Sequence, residues 1–196
     1  MTTTTQAEST IPTGTWQSDP IHSSVGFAVK HVVGTFRGTF NQFAATLSDV
    51  SGSSQLSGRA KVESVQVSDE NLYGHLLSPE FFDAEQHPEI IFESKEISRD
   101  GDKVTVEGEL TVKGITKPVV ARGEIAGPAP GPDENDRLGI DLETSVDRHD
   151  FGLDWQMDLP GGGKTLGDDV TLTVHVELVK EMRESSAGEA EEEPVS

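Results

Sequence analysis

The chain has 196 residues, long enough for one large domain, with a hydrophobic content of 33% and 35 acidic against 15 basic side chains, a formal net charge of -20. A field of that sign repels phosphate backbones and anionic lipid surfaces, so nucleic acid is excluded as an expected partner. No cysteine is present, which excludes disulfides, thiolate nucleophiles and thiolate metal sites.

The charge is unevenly spread. Residues 1–61 carry a net +1, whereas the remainder carries -21. The simpler reading is a solvated acidic surface; the sharper one is that the less acidic end holds an anionic head group. The N-terminal stretch Met1–Thr10 has neither a basic region nor an apolar core of the kind that directs secretion, and no apolar run approaches the ~18 residues of a membrane span. The expectation is a cytoplasmic chain without a membrane span.

Residues 1–13 are Thr-rich, lack periodicity and read as a flexible leader. A first strand is expected over about 15–32, where Ile21, Ser23, Val25, Phe27 and Val29 share one face. Gly34 and Gly38 punctuate the reversal into a second strand, about 36–48. There Phe36 and Phe40 have one parity and Phe43, Ala45 and Leu47 the other, which predicts a bulge near Asn41-Gln42. A third strand, about 55–67, places Leu56, Gly58, Ala60 and Val62 together.

After Val67 the period changes. Ser68-Asp69-Glu70 supplies a cap and acids for a helix start, and Leu72, Tyr73, Leu76 and Leu77 recur at helical spacing. Ser78-Pro79 predicts a second short helical turn bearing Phe81 and Phe82. Strands four (about 89–99) and five (about 103–113) flank Asp100-Gly101, a hairpin signal. Strand six follows at about 118–127, then a long flexible loop over Gly127–Asp136. Strand seven, about 137–148, alternates Leu138, Ile140, Leu142, Thr144 and Val146; strand eight, about 168–180, alternates Val170, Leu172, Val174, Val176 and Leu178. From Glu181 onward the chain reads as a disordered acidic tail.

The fold class is therefore all-β: an eight-stranded antiparallel barrel with a short helical segment between strands three and four. Closure of such a meander removes exposed edges, and a barrel of this strand number is either filled by side chains or holds one small ligand. Small inward residues (Ser23, Gly58, Ala60, Gly108 and Thr144) favour a cavity.

Motifs for chemistry are weak. The six histidines show no close ligand spacing, so no metal is expected. No Gly-x-Ser-x-Gly elbow occurs, and Gly161-Gly162-Gly163-Lys164 lacks the spacing of a phosphate loop. No catalytic residue and no cofactor are assigned.

Several stretches carry a resemblance. Trp16-Gln-Ser-Asp19-Pro20-Ile-His22-Ser-Ser-Val25-Gly-Phe27-Ala-Val29-Lys30-His31 is followed by Val33-Gly-Thr-Phe36-Arg-Gly-Thr-Phe40 and Gly74-His75-Leu76-Leu77-Ser78-Pro79-Glu80-Phe81-Phe82-Asp83. Then come His87-Pro88-Glu89-Ile90-Ile91-Phe92, Leu110-Thr-Val-Lys-Gly-Ile-Thr-Lys-Pro118-Val and Arg148-His-Asp-Phe151-Gly152-Leu153. As an ordered set over about 15–180 they resemble the YceI-like family of lipocalin-like, polyisoprenoid-binding proteins. The resemblance implies a barrel domain over 14–180 around a long apolar pocket, and no catalytic residues. Family members often carry Arg where this chain has Leu77, and many are exported.

The lumen residues expected on these grounds are Val25, Phe27, Val29, Phe40, Leu72, Leu76, Phe81, Phe82, Phe92, Leu110, Leu142 and Trp155, with Arg37 as a head-group contact at the rim. The expected function is non-enzymatic binding, carriage or sequestration of an isoprenoid, quinone or fatty-acid-like molecule, with homodimerisation left open. Two alternatives are an enzyme acting on an apolar substrate through His149 and Asp150, and a filled-barrel stress or interaction protein. The roles of His22, His31 and His149 are unassigned.

Overall fold

A computed structural model describes residues 10–181. Residues 1–9 of the expected leader (1–13) and 182–196 of the expected tail (181–196) lie outside the described residues. Among the described residues eleven strands run in chain order: β1 (Gly14–Ser18), β2 (Ser24–His31), β3 (Gly34–Phe40), β4 (Phe43–Val50), β5 (Ser53–Lys61), β6 (Val65–Gln66), β7 (Glu89–Asp100), β8 (Lys103–Val112), β9 (Ile115–Pro130), β10 (Asp136–Asp147) and β11 (Leu166–Lys180). A helix, α1 (Glu70–Leu77), lies between β6 and β7.

The helix thus follows the sixth strand, not the third as the sequence suggests. Its residues sit where expected; the count differs because each of the first three expected strands is broken in two. Asp19 makes the first break: its side chain accepts from the Ile21 N–H at 3.0 Å and its carbonyl from the His22 N–H at 3.2 Å. The second falls at Asn41-Gln42, where both backbone N–H groups turn to Ser64 instead of a sheet partner. The third is a 3-10 turn over Val62–Ser64.

Breaking the strands lets one meander form two different ends. At one end β1, β4, β5, β7, β8, β9, β10 and β11 close an antiparallel eight-stranded ring through the pairing of β1 with β11 (Trp16 opposite Lys180). Trp16, Leu47, Ile125, Leu138 and Leu178 are buried there. Ile11 packs with them, so burial begins ahead of the residue 14 boundary. At the other end β11 pairs with β2, β2 with β3, and β3 with the two residues of β6. β6 has no pairing with β7, and α1 with the turn after it covers that side.

Two further local differences concern the turns. Ser78–Asp83 is a non-helical turn, not a second helical turn. The Ser78 hydroxyl and backbone N–H both donate to the His75 carbonyl, at 2.7 and 3.1 Å, and end the helix there. The expected long loop after residue 127 is shorter, because β9 continues to Pro130 and pairs with Asp136.

Candidate functional site: an apolar cavity at the open end

Cross-strand pairing builds one wall of the open end. Val25 lies opposite Phe40, Phe27 opposite Gly38 and Val29 opposite Phe36. Gly38 is required by close approach: a Cβ there would lie 2.6 Å from the Phe27 ring, which lies over the glycine. The Phe27 ring meets Phe36 at 5.9 Å, Phe40 at 5.8 Å and Phe82 at 6.3 Å between centroids. Gly108 accommodates Phe92 in the same way, since a Cβ at that position would fall 2.7 Å from the Phe92 ring.

The helix supplies a second wall. Asp69 caps it, accepting from the Leu72 N–H at 2.8 Å. Leu72, His75 and Leu76, at i, i+3 and i+4, then share the face turned to the lumen. The Phe82 and Ala84 N–H groups donate to the Leu76 and Leu77 carbonyls, each at 3.0 Å, folding Phe81 and Phe82 back beneath the helix.

Arg148 fixes the third wall. It is only 3% exposed. Its Nε donates to the Gly167 carbonyl at 2.9 Å, and Nη1 donates to the carbonyls of Leu153 and of Trp155, the latter at 2.9 Å. Nη2 lies buried 3.7 Å from Asp168. The guanidinium thus pins the segment 152–167 over the barrel end, with Leu153, Trp155 and Leu166 facing inward.

Between these walls is a cavity of about 490 Å³, within the size range of small-molecule sites. Its deep lining is aliphatic and aromatic, including Leu76, Phe82, Leu110, Val112 and Phe151, all buried. Exposed His31 and Gly34 and half-buried His75 mark its rim. A second cavity of about 120 Å³ lies further along the lumen. The two share Ile90, Leu110 and Leu172.

Of the lumen residues expected from sequence, Phe27, Val29, Phe40, Leu72, Leu76, Phe81, Phe82, Leu110 and Trp155 line the larger cavity. Val25, Phe92 and Leu142 line the smaller one, as Leu110 does too. Arg37 is exposed on β3 and lines neither, because its neighbours Phe36 and Gly38 occupy the lumen side of that hairpin. Of the small residues, Gly58, Ala60 and Thr144 border the smaller cavity. Residues absent from the expected set include Val146, Val170 and Leu172, whose parity on the last two expected strands already marked them as inward. Arg148 had no such signal, since a buried arginine bonded to carbonyls depends on tertiary structure.

His149 lies outside both cavities. Its Nδ1 faces Asp154 at 2.8 Å and its Nε2 faces Asp168 at 3.1 Å. Carboxylates only accept, so the doubly protonated ring satisfies both, and its pKa is raised above 6.5, by Asp154 first and Asp168 next. Asp168 is held down to about 2 by Lys164 and then His149. This is a surface clamp between the 152–167 segment and β11, and it does not place His149 against a substrate in the lumen. Asp150 is likewise exposed and lines neither cavity.

A second polar cluster joins Asp19, His22 and Glu177, whose ligand-type atoms lie within 4.8 Å of one another. Both carboxylates already accept from the Arg137 guanidinium, Asp19 at 3.1 Å. Asp19 is lowered to about 2, first by His22 and then by the Ile21 N–H. A metal would have to displace the arginine, so the cluster is an ion-pair network joining β10 and β11 to the turn after β1.

A family described as the YceI-like domain matches residues 16–178. The chain belongs to the YceI-like family. A UPF0312 protein of Staphylococcus aureus is 30% identical over 165 residues, covering 82% of this chain and 94% of the relative. Among solved structures, this YceI-like chain is similar to a Campylobacter jejuni YCEI protein, with a TM-score of 0.66 and 28% identity, covering 78% of this chain and 90% of that one. It also shares the fold of a polyisoprenoid binding domain from Saccharophagus degradans, with a TM-score of 0.65 at 10% identity, covering 87% of this chain and 100% of that domain. Among the described residues, no helix is long and apolar enough to cross a membrane.

Proposed function

We propose that this YceI-like protein binds a long apolar small molecule, a polyisoprenoid or a chain of similar width, and carries or sequesters it without chemical conversion. The observation that carries this reading is the cavity of about 490 Å³ with its aromatic and aliphatic lining. Each CH₂ buried there contributes about 0.8 kcal/mol, so roughly ten such groups supply on the order of 8 kcal/mol before the costs of association. No hydrogen bond is needed for that part of the affinity; the lining selects for width and length.

The shared wall of Ile90, Leu110 and Leu172 supports a ligand longer than the main cavity. These three aliphatic side chains border both spaces, so a ligand chain that passes them would run from one into the other. The fold shared with a polyisoprenoid binding domain points to the same ligand class. Organic extraction of the purified protein followed by mass spectrometry, with thermal shifts in the presence of polyprenyl alcohols and quinones, tests the reading. Recovery of an apolar chain compound, or a saturable rise in Tm, is expected. A lipid-free protein with an unchanged Tm would overturn it.

A further inference from the structure

Five polar side chains reach the lining of the main cavity: His31, Thr35, His75, Arg148 and Trp155. Arg148 is committed to backbone carbonyls through Nε and Nη1, and its Nη2 is buried beside Asp168. His31 is exposed beside the tip of the β2–β3 hairpin.

His75 is held differently. Its ring makes edge contacts with Phe81 at 4.8 Å and Trp155 at 5.1 Å between centroids. Nε2 lies 2.9 Å from the Glu80 carboxylate. A carboxylate accepts only, so in the neutral ring Nε2 carries the proton and Nδ1 keeps a lone pair. Nε2 is engaged by exposed Glu80, so Nδ1 is the ring nitrogen with no protein partner among the described residues. Among the described residues, neither Nδ1 of His75 nor the indole N–H of Trp155 has a hydrogen-bond partner. One unpartnered acceptor and one unpartnered donor thus sit on two touching rings that both line the cavity.

Resting on the function proposed above, we infer that His75 and Trp155 form a head-group clamp for a terminal hydroxyl. The ligand O–H donates to Nδ1 of His75, and the same oxygen accepts from the indole N–H of Trp155. A hydroxyl is the small group that does both. An ether keeps only the second bond, and a carbonyl or carboxylate brings a second lone pair against Nδ1. Glu80 is a positioning residue, since it sets which nitrogen holds the proton.

The test is calorimetric titration of the full chain with geranylgeraniol, its methyl ether and the matching hydrocarbon. The alcohol is expected to bind about tenfold more tightly than the ether. His75→Phe, which keeps an aromatic ring between Phe81 and Trp155, is expected to abolish that preference. Trp155→Phe is expected to weaken alcohol and ether alike while preserving the preference. Glu80→Lys replaces an exposed acceptor with a group that only donates, removes the contact that holds the proton on Nε2 and is expected to reduce the alcohol preference severalfold, which keeps the test open if the ring variants fold poorly. Equal binding of the three compounds to the wild type would overturn the head-group assignment and leave the lumen reading intact, as would an alcohol preference that survives His75→Phe. Failure of all three to bind would overturn the lumen reading and the clamp together.

Discussion

The two ends of the barrel are built from the same meander and differ in one respect. At the closed end, β1 bridges β4 and β11, and the ring shuts around Trp16, Leu47, Leu138 and Leu178. At the open end, the corresponding places are taken by β2, β3 and the two-residue β6, and the sheet stops short of β7. A ring that closes pulls its inward side chains together until they fill the centre. A sheet that stays open and is bridged by a helix of eight residues cannot contract in the same way, and a space remains. On the proposed function, stability and binding are carried by different ends, and variants should separate them.

The largest expected effect is on stability at the closed end. Trp16 is fully buried, with its indole N–H donating to the Pro12 carbonyl at 3.2 Å. Trp16→Ala should cost about 3–5 kcal/mol in chemical denaturation, while the folded fraction binds an apolar ligand with unchanged affinity. Val146→Phe should show the reverse. Val146 is half-buried and faces the main cavity, so the ring enters existing space. Stability should change by less than about 1.5 kcal/mol, while binding falls by at least about tenfold in the same titration. If either variant moved both properties together, the division between the two ends would fail.

A smaller effect tests the helix as the seal. Asp69→Ala removes the cap and should lower stability by about 1 kcal/mol. Hydrogen exchange should quicken in residues 70–77 and leave β10 and the C-terminal half of β11 unchanged. The smallest effect is the pH response of the clamp on the segment 152–167. His149 has a folded pKa raised above its unfolded value near 6.5. Its contribution is therefore fully present below that value and is lost as pH rises through the folded pKa. Asp168 has the opposite sign: lowered to about 2, it contributes above its unfolded pKa near 3.8 and that contribution is lost as pH falls toward 2. Thermal unfolding should show a modest fall in Tm from pH 6 to pH 8.5 that is absent in His149→Gln.

Much of the fold was legible in the residues, though not the contrast between its two ends. Period-two alternation located the strands, and the shift to helical spacing after Val67 located α1, because both signals depend only on which faces are buried. The change of parity between Phe40 and Phe43 even marked where β3 hands over to β4. The closed and open ends were not distinguishable, since Leu138 and Val146 have the same parity on one strand and differ only in what lies across the barrel. Arg37 illustrates the other limit. Charge pointed to it as a rim contact, yet the lumen side of its hairpin is occupied by Phe27, Phe36 and Phe40. Arg148 is buried only because three carbonyls and a carboxylate converge on it, which no local pattern announces.

The two tryptophans give the central claim a direct readout, since Trp16 sits in the closed end and Trp155 lines the cavity. In a Trp16→Phe background, titration with geranylgeraniol should change the Trp155 emission saturably at about one ligand per chain, and adding Val146→Phe should abolish the change. An emission that stays flat, or a response that persists with the cavity filled, would contradict the assignment of the open end as the binding site.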